Sequence, residues 1–225
     1  MKIASLKPTQ WFPGQNVSVK PHLRGWIHLV AAPLSLAASI VLTCLAPTGA
    51  TKGGSAIYLA ASLILFGISA LYHRFYWSPS WEVVWNRLDH SNIFLLIAGT
   101  YTPLSIAILP HDQAVTILSI VWGGALLGIL LNLFWPTAPR WLATLIYVAL
   151  GWVALWYLPQ FWSLGGAVIV WLLLAGGILY TIGAVVYATK KPDLSPRWFG
   201  FHEIFHLCTV LAWACHCVAV YLAVL

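Results

Sequence analysis

Phe199-Gly200-Phe201-His202-Glu203-Ile204-Phe205-His206 opens an apolar run that continues to residue 224. At about 1.5 Å of rise per residue, a helix of this length crosses a hydrocarbon layer of about 30 Å, so the run reads as a membrane span. His202 and His206 lie four apart and project from one helical face, a spacing at which two imidazoles can share one cation. Ionisable groups this close to hydrocarbon are costly to desolvate, and their presence there is a functional hypothesis by default. Taken alone, the pair also fits two interfacial histidines hydrogen-bonded to neighbouring helices.

Working outward, the rest of the chain has the same character. Its 225 residues are 61% hydrophobic and 7% charged, with 14 Trp, and the mean hydropathy of +0.86 lies far above that of a soluble domain. Seven apolar runs are long enough to span, near 23–45, 55–77, 88–109, 114–134, 141–158, 164–188 and 199–224, separated by stretches carrying Pro, Gly or charge. The expected fold is all-α, a seven-transmembrane helix bundle. A polar N-terminal segment, 1–22, precedes a single membrane domain, 23–225. Pro33 and Pro103 fall inside runs one and three, where a membrane helix tolerates them if neighbours take up the freed carbonyl. The Gly-rich helices four to six, including Gly124, Gly128, Gly151, Gly176, Gly177 and Gly183, are expected to pack closely.

Charge sets the expected orientation. Ten of the eleven Lys and Arg fall on one side of the seven spans and Lys52 alone on the other, which places the N-terminus in the cytosol and the C-terminus outside. That is opposite to a G-protein-coupled receptor. The net charge of +6 is spread over loops between apolar runs, so lipid headgroups rather than nucleic acid are its expected partner. Cys44, Cys208, Cys215 and Cys217 lie in apolar stretches without paired spacing and read as small buried hydrophobes rather than a disulfide framework. Residues 1–20 have no apolar segment followed by a cleavage site, so no signal peptide is expected.

With that orientation, the intramembrane polar residues fall at one depth. His73 lies near the cytosolic end of helix two, Asp89 is expected in the first turn of helix three, and His202 and His206 occupy the first two turns of helix seven. Three helices contributing such groups at a matched depth is far more specific than any one of them. Three neutral imidazoles suit zinc and leave a fourth position open, the pattern of catalytic sites. Asp89 could bind the metal directly, but as a carboxylate beside a water it serves better as orienter and proton acceptor. Ser69, one turn before His73, either hydrogen-bonds in the site or bonds back to its own helix. His28 either lines the site or sits at headgroup level. Glu203 is expected at the interface near Arg197 or lipid, His216 as a hydrogen-bonded core residue too deep to share the metal, and His90 about 100° round its helix from Asp89.

Three motifs occur in order: Ser69-Ala-Leu-Tyr-His73, then Leu88-Asp89-His90-Ser91-Asn92 continuing to Pro103, then Gly200-Phe201-His202-Glu203-Ile204-Phe205-His206. They resemble the bacterial hemolysin III branch of the progestin and adipoQ receptor (PAQR) superfamily, with a match through all seven helices. That resemblance implies zinc on His73, His202 and His206, a water between metal and Asp89, Ser69 close by, and a multi-pass protein of the bacterial inner membrane. It also implies ceramidase-type amide hydrolysis, which is attributed to this site in eukaryotic relatives. The family often carries Glu-x-x-Asn-x-x-x-His at the start of helix one; here those places hold Pro21, Arg24 and His28.

The expected function is zinc-dependent hydrolysis of an amide or ester bond in a membrane lipid, with Asp89 and Ser69 as catalytic residues. A non-catalytic, zinc-containing, lipid-sensing regulator of membrane fluidity or energetics is the alternative. A pore-forming cytolysin fits less well, because a pore needs polar residues through the full thickness.

Overall fold

The computed structural model describes residues 20–135, 139–195 and 197–225. Seven helices long and apolar enough to cross a membrane make up the bundle: α1 Trp26–Leu45, α2 Gly49–Arg74, α3 Pro79–Ile108, α4 His111–Phe134, a fifth span Trp141–Gly165 (α5), α6 Ala167–Thr189 and α7 Phe201–Val224. The chain is therefore a multi-pass, all-α membrane bundle. Exposed Leu, Ile, Val and Trp cover its outside, as expected of a surface solvated by lipid tails. Lys2 and Lys7 of the N-terminal segment lie outside the described residues. Residues 20–22, assigned to that same segment, pack on the bundle: the His22 N–H donates to the Arg197 carbonyl at 2.9 Å.

Several helices start earlier than hydropathy suggests. α2 begins at Gly49, six residues before its apolar run, because Thr48 and Thr51 form a reciprocal capping box across its first turn. α3 begins at Pro79, nine residues early, with Ser78 at its cap, Pro79 in the first turn and Glu82 beside the free N–H groups. Asp89 accordingly lies in the third turn of α3 rather than the first. His111 and Asp112 form the first turn of α4.

The fifth span departs most from expectation. It runs to Gly165 rather than 158, passing from α-helix into 3-10 turns at Trp152–Tyr157 and ending in a π-type turn at Phe161–Gly165. The backbone groups released at that change would be orphaned in hydrocarbon. Tyr101 on α3 satisfies two of them, donating its hydroxyl to the Gly151 carbonyl at 2.7 Å and accepting the Ala154 N–H at 2.7 Å.

Of the glycines expected to mediate packing, Gly124, Gly128, Gly176 and Gly183 do have a neighbour's side chain where a Cβ would stand, whereas Gly151 faces open space. Closest is Gly176, where a Cβ would lie 2.3 Å from the His216 ring. Gly25 matters for the site: at φ 81 it turns the chain into α1 against the end of α2, where a Cβ would meet the Arg74 backbone nitrogen at 3.0 Å. That turn brings the first residues of α1 beside His73. The cysteines are all free; Cys208 and Cys217 are buried as expected, but Cys44 is exposed and Cys215 half-buried.

Candidate metal centre

His73 closes α2, and His202 and His206 occupy the first two turns of α7. Their nearest ring nitrogens all lie within 4.8 Å of one another. The His73 and His202 Nε2 atoms are 3.2 Å apart, close to the ligand–ligand edge of about 3.3 Å in a tetrahedral site with metal–nitrogen bonds near 2.05 Å. The three rings are inclined to one another by 60–68° with centroids 4.5–4.9 Å apart, so their edges turn toward a common centre. His73 and His206 are buried and His202 half-buried. Two bare nitrogens facing each other in a buried site satisfy nothing unless a proton or a cation lies between them. The donor set therefore fits a divalent metal ion.

Asp89 reaches the cluster from α3, its Oδ2 3.3 Å from His73 Nε2. It does not join the group of mutually close ligand atoms, so it lies to one side of the three nitrogens, touching one ligand. Ser69 is buried and near enough to interact with the Asp89 carboxylate. It makes none of the back-bonds to its own helix that Thr100 and Thr209 make.

Glu203 is not interfacial. It is 1% exposed, its Oε1 2.5 Å from Arg24 Nε and its Oε2 accepting the Gly200 N–H at 2.8 Å. One carboxylate thus ties the start of α1 to the start of α7 and caps the helix that carries two of the three ligands. Asp193 adds a second acceptor there, taking the Phe201 N–H at 3.2 Å. Arg24 occupies the place where the resemblance led one to expect Asn, and it supplies a cross-helix tie of its own. Nothing local in the sequence pairs it with Glu203.

His28 lies inside the site rather than at headgroup level. It is 2% exposed, and its ring is stacked on His206 at 3.9 Å with the planes 4° apart. An ion bound in the plane of one ring lies off the plane of a parallel neighbour, so His28 and His206 cannot both ligate one metal in this arrangement. His90 points elsewhere. Its Nδ1 sits 2.8 Å from the Asn86 carbonyl and must donate, leaving Nε2 to accept the Tyr187 hydroxyl at 2.8 Å. Tyr187 in turn packs on His202 and Phe205, and sequence reasoning had no signal for it. His216 hydrogen-bonds the Leu173 carbonyl from Nε2 at 3.2 Å, far along α7 from the cluster.

An apolar chamber begins beside the site and extends into the bundle among α3, α5, α6 and α7. Near the metal cluster its wall includes His28, Ser69 and Asp89. On α3 it is lined from Asp89 as far as Leu104, fifteen residues or about 22 Å of helix. Outside the membrane layer, Lys20 donates its ammonium to the carbonyls of Tyr72 and Phe75 at 3.1 and 2.7 Å. Burial there pushes its pKa down to about 8.

A family profile described as "Haemolysin-III related" matches residues 17–217. The protein "Hemolysin-3" of Bacillus cereus is 35% identical over 188 residues, covering 80% of this chain and 80% of that one. The "Hemolysin-3 homolog" of Bacillus subtilis (strain 168) is 36% identical over 147 residues, covering 64% of this chain and 68% of the relative.

Proposed function

The chain belongs to the haemolysin III-related family, and we propose that within it this protein is a metal-dependent hydrolase of an amide or ester bond in a membrane lipid, with zinc as the metal. One observation carries the reading: a largely buried three-histidine cluster has beside it a carboxylate, Asp89, that also forms part of the wall of an apolar chamber. The chamber wall follows α3 for about 22 Å, a reach suited to a long acyl chain. Chambers lined mainly by apolar side chains, with a few convergent polar groups at one end, are the usual form of small-molecule sites.

His73, His202 and His206 would hold the ion. Zinc so held supplies Lewis acidity toward a carbonyl oxygen and toward water. The chain's own residues do the rest. Asp89, beside His73 and on the chamber wall, takes the proton of the attacking water and returns it to the departing amine or alcohol. Ser69 holds that carboxylate in place, and the apolar walls keep bulk water from the acyl chain. Because ten of the eleven Lys and Arg fall, in sequence order, on this side of the seven spans, we place the site in the cytosolic leaflet of a bacterial inner membrane. A chain whose charged groups gather at one end does not suit a water-filled pore.

The test is release of free fatty acid from long-chain N-acyl amines and matched esters by purified, zinc-loaded protein. Asp89→Asn is expected to keep its zinc and lose at least about a hundredfold in turnover, the scale of a missing proton carrier. Full zinc occupancy with no turnover across lipid classes would favour the lipid-sensing regulator instead. Equal loss of zinc in Asp89→Asn would make Asp89 a ligand.

A further inference from the structure

Three polar side chains line the chamber near the metal cluster, and two of them are already engaged. Asp89 faces His73, its Oδ2 3.3 Å from Nε2, and Ser69 lies close enough to interact with that carboxylate. The third, His28, is 2% exposed, yet neither of its ring nitrogens makes a well-formed hydrogen bond, although the His206 backbone comes close enough to interact with it. Its neighbours are rings: His206 stacked on one face and Phe66 edge-on at 5.1 Å. A buried polar group left without a partner is costly, and native structures seldom leave one without a reason. The parallel stack on His206 removes the simplest reason, a fourth bond to the same ion. What remains within reach is the space of the chamber, whose wall His28 forms.

We infer that His28 is a ligand-positioning residue: it hydrogen-bonds the polar head of the molecule occupying the chamber and holds it against the metal cluster without ligating the ion. The inference rests on the lipid-hydrolase reading and extends it by assigning a recognition contact to α1. A neutral imidazole offers one N–H and one lone pair. An amide head, with both a carbonyl and an N–H, can answer either nitrogen, whereas an ester can only accept. His28 therefore favours an amide over the matched ester. No change of charge on His28 is required. The ligand need only supply better-aligned partners than the protein does.

The experiment compares His28→Phe and His28→Gln with wild type. Phenylalanine keeps a ring against His206 and Phe66 but removes hydrogen bonding, while glutamine keeps a donor and an acceptor. Zinc content is measured on each variant, and binding of a long-chain N-acyl amine and its matched ester is titrated on zinc-loaded protein in detergent. The expected result is unchanged zinc in both variants. His28→Phe binds the amide about tenfold more weakly, as for one lost hydrogen bond, with a smaller effect on the ester, and His28→Gln stays within a few-fold of wild type. Wild-type amide affinity in His28→Phe overturns the assignment while leaving the hydrolase reading standing. Loss of zinc in His28→Phe overturns it by making the residue part of the metal shell. Wild-type protein that takes up zinc but binds neither lipid overturns this inference and the reading beneath it together.

Discussion

Removing Arg24 should be far more damaging than removing the charge it answers. Glu203 is 1% exposed and Arg24 20% exposed at the side chain, so the two ends of the pair have different recourse to solvent. At 2.5 Å and an effective dielectric constant near 20, their attraction is about 7 kcal/mol. That is offset by several kcal/mol of desolvation for each ion, so the net value of the pair is small. Its asymmetry is not small. Arg24→Met leaves a buried carboxylate whose remaining partner is the Gly200 N–H, at a cost of about 3–5 kcal/mol. Glu203→Gln keeps an acceptor for Gly200 and leaves a guanidinium able to reach water, at about 1–2 kcal/mol. For a chain of this length 1 kcal/mol corresponds to about 2–4 °C, so Arg24→Met should melt roughly 6–20 °C below wild type and Glu203→Gln only a few degrees below. Thermal unfolding of purified protein in one detergent reads both, and Arg24→Met combined with Glu203→Gln should recover part of the loss by removing the stranded charge. Because Glu203 caps the helix carrying His202 and His206, Arg24→Met should also bind zinc more weakly. Equal shifts in the two single variants, or an additive double variant, would refute the buried tie between α1 and α7.

Two further outcomes follow from contacts away from the ligands. Tyr101→Phe strands the Gly151 carbonyl and the Ala154 N–H in the bundle, and should destabilise by about 1–3 kcal/mol, measured by the same melt; an unchanged melting temperature would mean that the fifth span satisfies those groups otherwise. Burial lowers the Lys20 pKa from 10.5 to about 8, so between those values the unfolded chain binds more protons than the folded one. Stability should then rise with pH across that window. Lys20→Met should remove that rise, and a slope that survives the substitution would place its origin elsewhere.

The seven spans were legible because each is an apolar run of adequate length, and that signal does not depend on tertiary context. Where helices begin was less legible. Thr48–Thr51 and Ser78–Pro79 start helices in polar sequence, and hydropathy detects the membrane layer rather than the helix. The fifth span could not be bounded because its change of winding at Gly151 depends on a hydroxyl fifty residues away, that of Tyr101. His73, His202 and His206 could be grouped from sequence because a shared depth is computable once orientation is assumed. Glu203 could not be placed: its partner Arg24 lies 179 positions earlier, and a charged residue in the first turn of a span reads equally well as lipid-facing. His28 was ambiguous for a similar reason, since only the turn at Gly25 decides whether the start of α1 faces headgroups or His206.

The most direct measurement is the metal content and ligand shell of the purified protein, taken by elemental analysis and X-ray absorption on wild type and on His73→Ala, His202→Ala and His206→Ala. One zinc per chain with three nitrogen neighbours at about 2.0–2.1 Å, lost in each of the three variants, is the predicted result. Wild-type protein without stoichiometric metal, or full occupancy retained when His73 alone is removed, would contradict a shared site between α2 and α7.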